Sequence, residues 1–222
     1  MPDQAKTTRP ASEVLSQTAR SALMPKMLHH SGFVTHDAAA TVDFYSRILG
    51  MEFVSTVMDD RVPSTGEAFP YLHLFFRMGD GSTLAFFESP CMPPPAKASH
   101  PAYDVFNHVA LDGGSKAEID AWAAWLSGNG VELVGPVDHG IIYSVYFHDP
   151  NGIRLELTTT IDPAWIEHPV EARRDLDDWI ATKARAAKEG QDPERALLDL
   201  IKTKKGDMRK RGIKIADELH DN

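Results

Sequence analysis

Apolar positions between about residues 27 and 160 follow two rhythms, and the order of those rhythms occurs twice. After Asp37, apolar side chains recur at helical spacing at Val42, Tyr45, Ile48 and Leu49. This predicts a helix over Ala38–Leu49, capped by Asp37 and stopped by Gly50. Ser115-Lys-Ala-Glu118 opens a second helix as a capping box. Ile119, Trp122, Ala123 and Leu126 form its apolar face, and Gly128 or Gly130 ends it. Strand-like runs flank both helices: Leu28–Val34 and Phe106–Leu111 before them, Met51–Val57 and Val131–Val134 after them. Each series closes in a hairpin. The first joins Leu72–Arg77 to Thr83–Phe87 through Asp80-Gly81; the second joins Ser144–Phe147 to Arg154–Thr158 through Pro150-Asn151-Gly152. The order strand–helix–strand–strand–strand is thus repeated. One such module leaves a sheet face unburied, and two can close around a shared pocket. The expected fold class is α+β: two tandem βαβββ modules, about 27–90 and 104–160, forming an open barrel-like sheet, with the Pro-rich stretch Pro90–Pro101 between them.

The flanks read differently. Residues 1–26 are polar and are expected to form an N-terminal arm, with one short apolar helix near Val14–Leu23. Residues 161–222 are charged and poor in aromatics, and are expected to form a helical C-terminal extension. Its helices would start at Asp162-Pro163 and Asp192-Pro193, and Leu197, Leu198, Leu200 and Ile201 make a narrow apolar stripe. Such an extension could cover the core or clamp a second subunit, so a homodimer is a candidate assembly.

Composition narrows the function classes. The 222 residues include 42% hydrophobic and 25% charged residues, ordinary for a globular protein, with a formal net charge of −9. Phosphate backbones need a basic surface, so nucleic acid is not an expected partner. No run approaches the apolar length of a membrane span, and the first 20 residues lack a signal-peptide core. The single cysteine, Cys91, excludes an internal disulfide and fits a reducing, cytoplasmic setting.

Three residues carry candidate chemistry. His30 and His108 occupy matching places in the first strand of each module. A lone strand histidine is most simply a core residue bonded to a carbonyl; the repeat-equivalent pair points to a shared ligand. Glu156 sits between Leu155 and Leu157, so a concave-facing side chain would bury a carboxylate, a costly act unless it is paired or bound to metal. Arg154 on the same strand face is the alternative partner. Two imidazoles and a carboxylate suit a divalent transition metal and leave positions open for substrate.

Three stretches carry a resemblance: His30-Ser-Gly-Phe-Val-Thr-His-Asp37, Val42-Asp-Phe-Tyr45-Ser-Arg-Ile-Leu-Gly50 and Tyr146-Phe-His-Asp149-Pro150-Asn-Gly152-Ile-Arg-Leu-Glu156. Over roughly residues 27 to 160 the chain resembles the vicinal oxygen chelate superfamily, which includes glyoxalase I, fosfomycin-resistance proteins, methylmalonyl-CoA epimerase and type I extradiol dioxygenases. The resemblance implies that His30, His108 and Glu156 are metal ligands. In the extradiol branch a tyrosine ten residues before the glutamate ligand lies near the metal, and Tyr146 holds that place here. His139 is the candidate acid–base, although it precedes the tyrosine by only seven residues, closer than in those enzymes; an unperturbed histidine titrates near neutrality, which suits proton transfer.

The resemblance leaves two reactions open. A two-His, one-carboxylate set implies an Fe(II) dioxygenase, Mn(II) being the variant metal, that opens an aromatic diol. Phe75, Phe76, Phe86, Phe87, Tyr143 and Tyr146 could wall a pocket for the ring. A glyoxalase I-like lyase or isomerase would use Zn(II) or Ni(II) and a fourth ligand, for which Glu88 is the candidate. Aligning Gly81 with Gly152, however, sets Ala85 rather than Glu88 opposite Glu156. A non-enzymatic binder is a third class, against which the full ligand set counts. Of the other histidines, His73 is expected to line the pocket, His29 to face away from His30, and His148 to be exposed.

Overall fold

The structure, a computed structural model, describes residues 25–93, 96 and 98–210. The candidate helix near Val14–Leu23 and the chain beyond Lys210 lie outside them. The chain divides after Pro93 into two units.

The first unit holds β1 (His30–Thr35), α1 (Ala38–Asp43), β2 (Glu52–Arg61), β3 (Ala68–Arg77) and β4 (Thr83–Glu88). Asp37 caps α1, its carboxylate accepting from the Ala40 amide at 2.9 Å. The expected single helix over Ala38–Leu49 is a short α-helix followed by a wider π turn, Phe44–Ile48. The core face is accordingly Thr41, Phe44, Tyr45, Ile48 and Leu49, with Val42 only half-buried. The wider turn advances less per residue, so more consecutive side chains reach one side. Gly50, at φ 70°, ends the helix as expected.

The sheet order is β1-β4-β3-β2, with β1 parallel to β4 and the other pairs antiparallel. β2 and β3 run longer than their apolar patterns. The added segment around Asp59 and Arg61 is solvent-exposed on both faces and pairs through its backbone, which leaves no alternation to read.

The second unit repeats this plan with β5 (His108–Asp112), α3 (Lys116–Gly128), β6 (Leu133–Asp138), β7 (Ile142–His148) and β8 (Arg154–Thr160), in sheet order β5-β8-β7-β6. The expected strand from Phe106 is shorter, because Ala102–Phe106 forms a short helix, α2, ahead of it. The capping box at Ser115 is present in full. Strand alternation puts Leu111, Val145, Phe147, Leu155 and Leu157 on the face shared with Ile119 and Leu126 of α3, and all are buried. The two sheets are separate four-stranded sheets rather than one barrel-like sheet.

A polar strap ties α3 to β7. Tyr143 Oη donates to Asp120 Oδ1 at 2.7 Å, and Lys116 Nζ stands 4.3 Å from the centre of the Tyr143 ring. The hydrogen bond, then burial, push the Tyr143 phenol up to about 12.

The turn before β8 is held by one carboxylate. Asp149 is 5% exposed; its Oδ1 accepts from the amides of Asn151 and Ile153, both at 2.8 Å, and its Oδ2 from Asn151 Nδ2 at 2.9 Å. Gly152 completes the turn at φ 80°, a conformation that other L-residues adopt at a cost.

Beyond β8, Asp162-Pro163 opens only a 3₁₀ turn, Pro163–Ile166, and the long helix α4 begins at Pro169 and runs to Glu189. α5 begins at Pro193, as expected, and runs to Lys210. No helix among the described residues is long and apolar enough to cross a membrane.

Two outcomes follow from this packing. Asp149→Ala removes three hydrogen bonds to a buried carboxylate, and chemical denaturation should show a loss of about 2 kcal/mol. Asp120→Asn removes the charge that opposes ionisation of Tyr143. The Tyr143 ring resonance should then titrate nearer the ordinary phenol value of about 10; an unchanged midpoint would mean the strap does not form in solution.

Candidate metal centre and its surroundings

The strand registers define which side chains share a face. In the second unit, Tyr146 pairs with Glu156, and Glu156 with Ala110; Arg154 pairs with His108 and His148. Thus His108, Tyr146, Arg154 and Glu156 all lie on the face away from α3. Glu156 is 2% exposed, between Leu155 and Leu157, which point the other way.

This carboxylate is fully engaged. Its Oε2 is 3.0 Å from His108 Nε2, and its Oε1 accepts from Tyr146 Oη at 3.1 Å. Tyr146 Oη is also 2.9 Å from His139 Nε2, at the end of β6. A continuous chain therefore runs His139–Tyr146–Glu156–His108. Burial, reinforced by the charge of Glu156, raises the Tyr146 pKa, so the phenol keeps its proton. His108 Nδ1 lies 3.1 Å from the Phe106 carbonyl, which orients the ring with Nε2 towards the carboxylate. Four of the expected site residues are thereby brought together.

Arg154 does not pair with Glu156. Its guanidinium lies 4.7 Å from the centre of the Tyr146 ring, and its Nε is buried without a hydrogen-bond partner among the described residues. Arg154 is the alternative partner of Glu156 in the sequence because the two are two apart on one strand. The cross-strand register instead sets Arg154 diagonally against Tyr146. The Phe106 carbonyl is a backbone contribution that no residue type announces.

In the first unit, His30 pairs with Thr83, Gly32 with Ala85 and Phe75 with Ala85. The face of His30 therefore carries Ala85, Phe87, His73 and Phe75. His73 stacks on Phe87 with centroids 3.6 Å apart and stands 6.4 Å from the His30 ring. Burial, then the neighbouring His30, lower the His73 pKa, and its Nε2 is buried without a hydrogen-bond partner among the described residues. His29 does not turn away: its Nδ1 is 2.8 Å from His30 Nδ1. It lies outside β1, where strand alternation does not bind it.

Glu88 lies three residues beyond Ala85 and pairs with Leu72, so it shares the face of Leu84 and Phe86, opposite His30. It lines a cavity of about 890 Å³ with His36, Asp59, Tyr71 and Leu72. His148 is exposed and 3.1 Å from Asp104. Cys91 is also exposed.

The model of the Glyoxalase/Bleomycin resistance protein/Dioxygenase superfamily matches residues 27–157. The chain belongs to this superfamily. Similar solved structures include a glyoxylase/bleomycin resistance protein/dioxygenase domain from Frankia sp. EAN1pec, with 14% identity, a TM-score of 0.51, and 62% of this chain and 99% of that one covered. This likeness shows the fold. A glyoxalase/dioxygenase from Nostoc punctiforme has 24% identity and a TM-score of 0.48, covering 67% of this chain and 97% of that one. The fosfomycin resistance protein FosX from Listeria monocytogenes, in a complex with Mn(II) and sulfate, has 21% identity and a TM-score of 0.45, covering 62% and 96%. No curated protein matches the chain.

Within neither unit of this superfamily member do three or more His, Cys, Asp or Glu among the described residues gather as a metal cage. His30 is in the first unit, and His108 and Glu156 in the second. The donor chemistry of the second unit suits a divalent cation. His108 is oriented through Nδ1 by a carbonyl, the usual way a ligating imidazole is held, and its Nε2 meets a buried carboxylate that a tyrosine hydroxyl also orients.

A buried charge kept for function and one kept for stability respond differently to neutralisation. Glu156→Gln retains oxygen and nitrogen for His108 and Tyr146. Without metal, its unfolding free energy should lie within about 1 kcal/mol of the parent, because loss of the ion pair is offset by relief of charge burial. With Mn(II) or Fe(II) added anaerobically, the melting temperature of the parent should rise and that of the variant should not. A metal-free loss of more than about 3 kcal/mol would make the pair a structural one.

Proposed function

We propose that this protein is a metal-dependent enzyme, an Fe(II) dioxygenase of the extradiol type that opens an aromatic diol, with His30, His108 and Glu156 as ligands and His139 and Tyr146 as catalytic residues. The observation that carries the reading is the chain from His139 Nε2 through Tyr146 Oη to Glu156 Oε1, with His108 Nε2 at the other carboxylate oxygen. Two imidazoles and one carboxylate are the facial set of non-haem Fe(II) oxygenases. Bound there, Fe(II) would supply the sites at which diol and dioxygen are activated together.

The protein's own groups divide the remaining work. Tyr146 keeps its proton, because burial and the Glu156 charge oppose ionisation, so its hydroxyl, once turned from Glu156 Oε1, can donate to an oxygen that gains negative charge. With the Tyr146 proton directed to Glu156, His139 Nε2 donates to Tyr146 Oη and so carries a proton, which it can deliver to product as a general acid before taking the next one from a substrate hydroxyl as a general base. Each touches the other, so a proton passed to one is one bond from its neighbour. Within the first unit, the strand face that carries His30 is built of rings, with His73 stacked on Phe87 and its centroid 4.0 Å from that of Phe75. The single cysteine suits a cytoplasmic setting.

The lyase reading asks more of the chain. Its fourth ligand, Glu88, shares a face with Leu84 and Phe86, and the position equivalent to Glu156 is Ala85. This favours the three-ligand reading, with Mn(II) the natural substitute for Fe(II) and Zn(II) or Ni(II) the metals of the alternative.

Elemental analysis of anaerobically purified protein, followed by oxygen uptake with a panel of catechols, tests the reading. Iron near one per chain, uptake and a ring-opened product are expected. His139→Ala and Tyr146→Phe should each lower kcat about a hundredfold or more while metal content holds, and His30→Ala should lose the metal. Zinc or nickel without oxygen uptake would overturn the dioxygenase assignment in favour of the lyase, and metal retained after His30→Ala would overturn the ligand set.

A further inference from the structure

Among the described residues, the four strands β5 to β8 contain a single lysine or arginine, Arg154. It stands on the face of His108, Tyr146 and Glu156, away from α3. An arginine keeps its charge throughout the physiological range, and one drawn into a packed face usually has an acid beside it. Arg154 is half-buried and pairs with no acid among the described residues. Glu156, two residues along the strand, is engaged by His108 and Tyr146. Asp104 is engaged by His148, the cross-strand neighbour of Arg154.

What holds Arg154 is a ring. Its guanidinium carbon lies 4.7 Å from the centre of the Tyr146 ring, and His108 and His139 stand nearly perpendicular to that ring, each with its centroid 6.1 Å away. The charge is therefore fixed within the cluster that carries the His139–Tyr146–Glu156–His108 chain. Stacking occupies one face of a guanidinium and leaves its in-plane N–H groups to bond elsewhere. Those groups make no hydrogen bond among the described residues, and Nε is buried as well. A ring neither neutralises the charge nor offers an in-plane acceptor. The missing partner is an oxyanion, because a planar fork of donors matches two oxygens at once. With no second lysine or arginine in these strands, the charge to be balanced is single, as on a carboxylate, and not double, as on a phosphate dianion. We propose that Arg154 is a specificity-determining residue that anchors a carboxylate on the substrate, so that the substrate is an aromatic diol bearing a carboxylate. The diol rests on the reaction proposed above; the anchor does not. With Nε buried, the carboxylate is met end-on by the two Nη groups.

Calorimetric titration of the protein, purified and held without oxygen, tests the anchor, because it reads binding with no turnover. The probes are 3,4-dihydroxybenzoate, 4-methylcatechol and benzoate. The parent should bind 3,4-dihydroxybenzoate at least about tenfold more tightly than 4-methylcatechol, as expected of one hydrogen-bonded charge pair. Arg154→Gln should erase that preference and abolish binding of benzoate, and Arg154→Lys should keep part of both. Loss of packing on Tyr146 alone would weaken both diols together and leave their ratio where it was. A parent that binds none of the probes, or shows no preference for the carboxylate, overturns the proposal, even where oxygen uptake with 4-methylcatechol upholds the reaction. A preference that survives Arg154→Gln overturns it too. A parent that binds 3,4-dihydroxybenzoate and benzoate through Arg154, yet consumes no oxygen with either diol, upholds the anchor and overturns the ring-opening reading.

Discussion

The structure of the second unit turns on a carboxylate held almost out of water. Glu156 sits in a strand whose neighbours on either side are core leucines, and a bare charge there would cost more than a typical domain can spare. Everything nearby is arranged to satisfy it. The parallel partner β5 brings His108 to one oxygen and the antiparallel partner β7 brings Tyr146 to the other. The register of both pairs is fixed by the Asp149 turn at the start of β8 and by the burial of Leu155 and Leu157 on the opposite face. A slip of one residue would place the carboxylate among the leucines' partners and the leucines in its place. The chemistry and the core thus depend on the same alignment.

The first unit shows what the same plan becomes without that carboxylate. The position equivalent to Glu156 is Ala85, and the position equivalent to Tyr146 is Phe75. With no acid to satisfy, the face needs no hydroxyl, and aromatic and imidazole rings stack on it. His30 keeps the place of His108, with His29 rather than a backbone carbonyl at its Nδ1. The repeated backbone has been given two surfaces, one polar and hydrogen-bonded and one largely aromatic. The polar one holds a buried carboxylate through the groups that bond it.

Much of this was legible from residue order. Period-two and helical patterns located both modules, because each element buries one face and exposes the other. The capping box at Ser115 and the Asp-Pro-Asn-Gly turn were legible for a simpler reason: those residues make local hydrogen bonds that need no tertiary context. What escaped was set by context. The π turn after α1 follows from packing of Phe44 and Tyr45 against the sheet, which propensity does not encode. The exposed reach of the β2–β3 hairpin has backbone pairing without alternation. In the candidate site, the repeat and the strand pattern point to His108 and Glu156 and the family resemblance to Tyr146 and His139, but neither gives the neighbour of Arg154. Its neighbour is chosen across the ladder, and a linear reading sees only residues on its own strand.

The orientation of His108 shows how a fold-level feature reaches the chemistry. α2 is only five residues long and buries no side chain, so by packing alone it is dispensable. It nevertheless ends at Phe106, whose carbonyl is left without a helical donor because the chain turns into β5 two residues later. That orphan acceptor is the atom facing His108 Nδ1. Helix termination therefore supplies the group that fixes the imidazole, and the fixed imidazole supplies the partner that lets Glu156 remain buried. A short helix with no core of its own is thus tied to the charge at the centre of the site through one carbonyl and one ring.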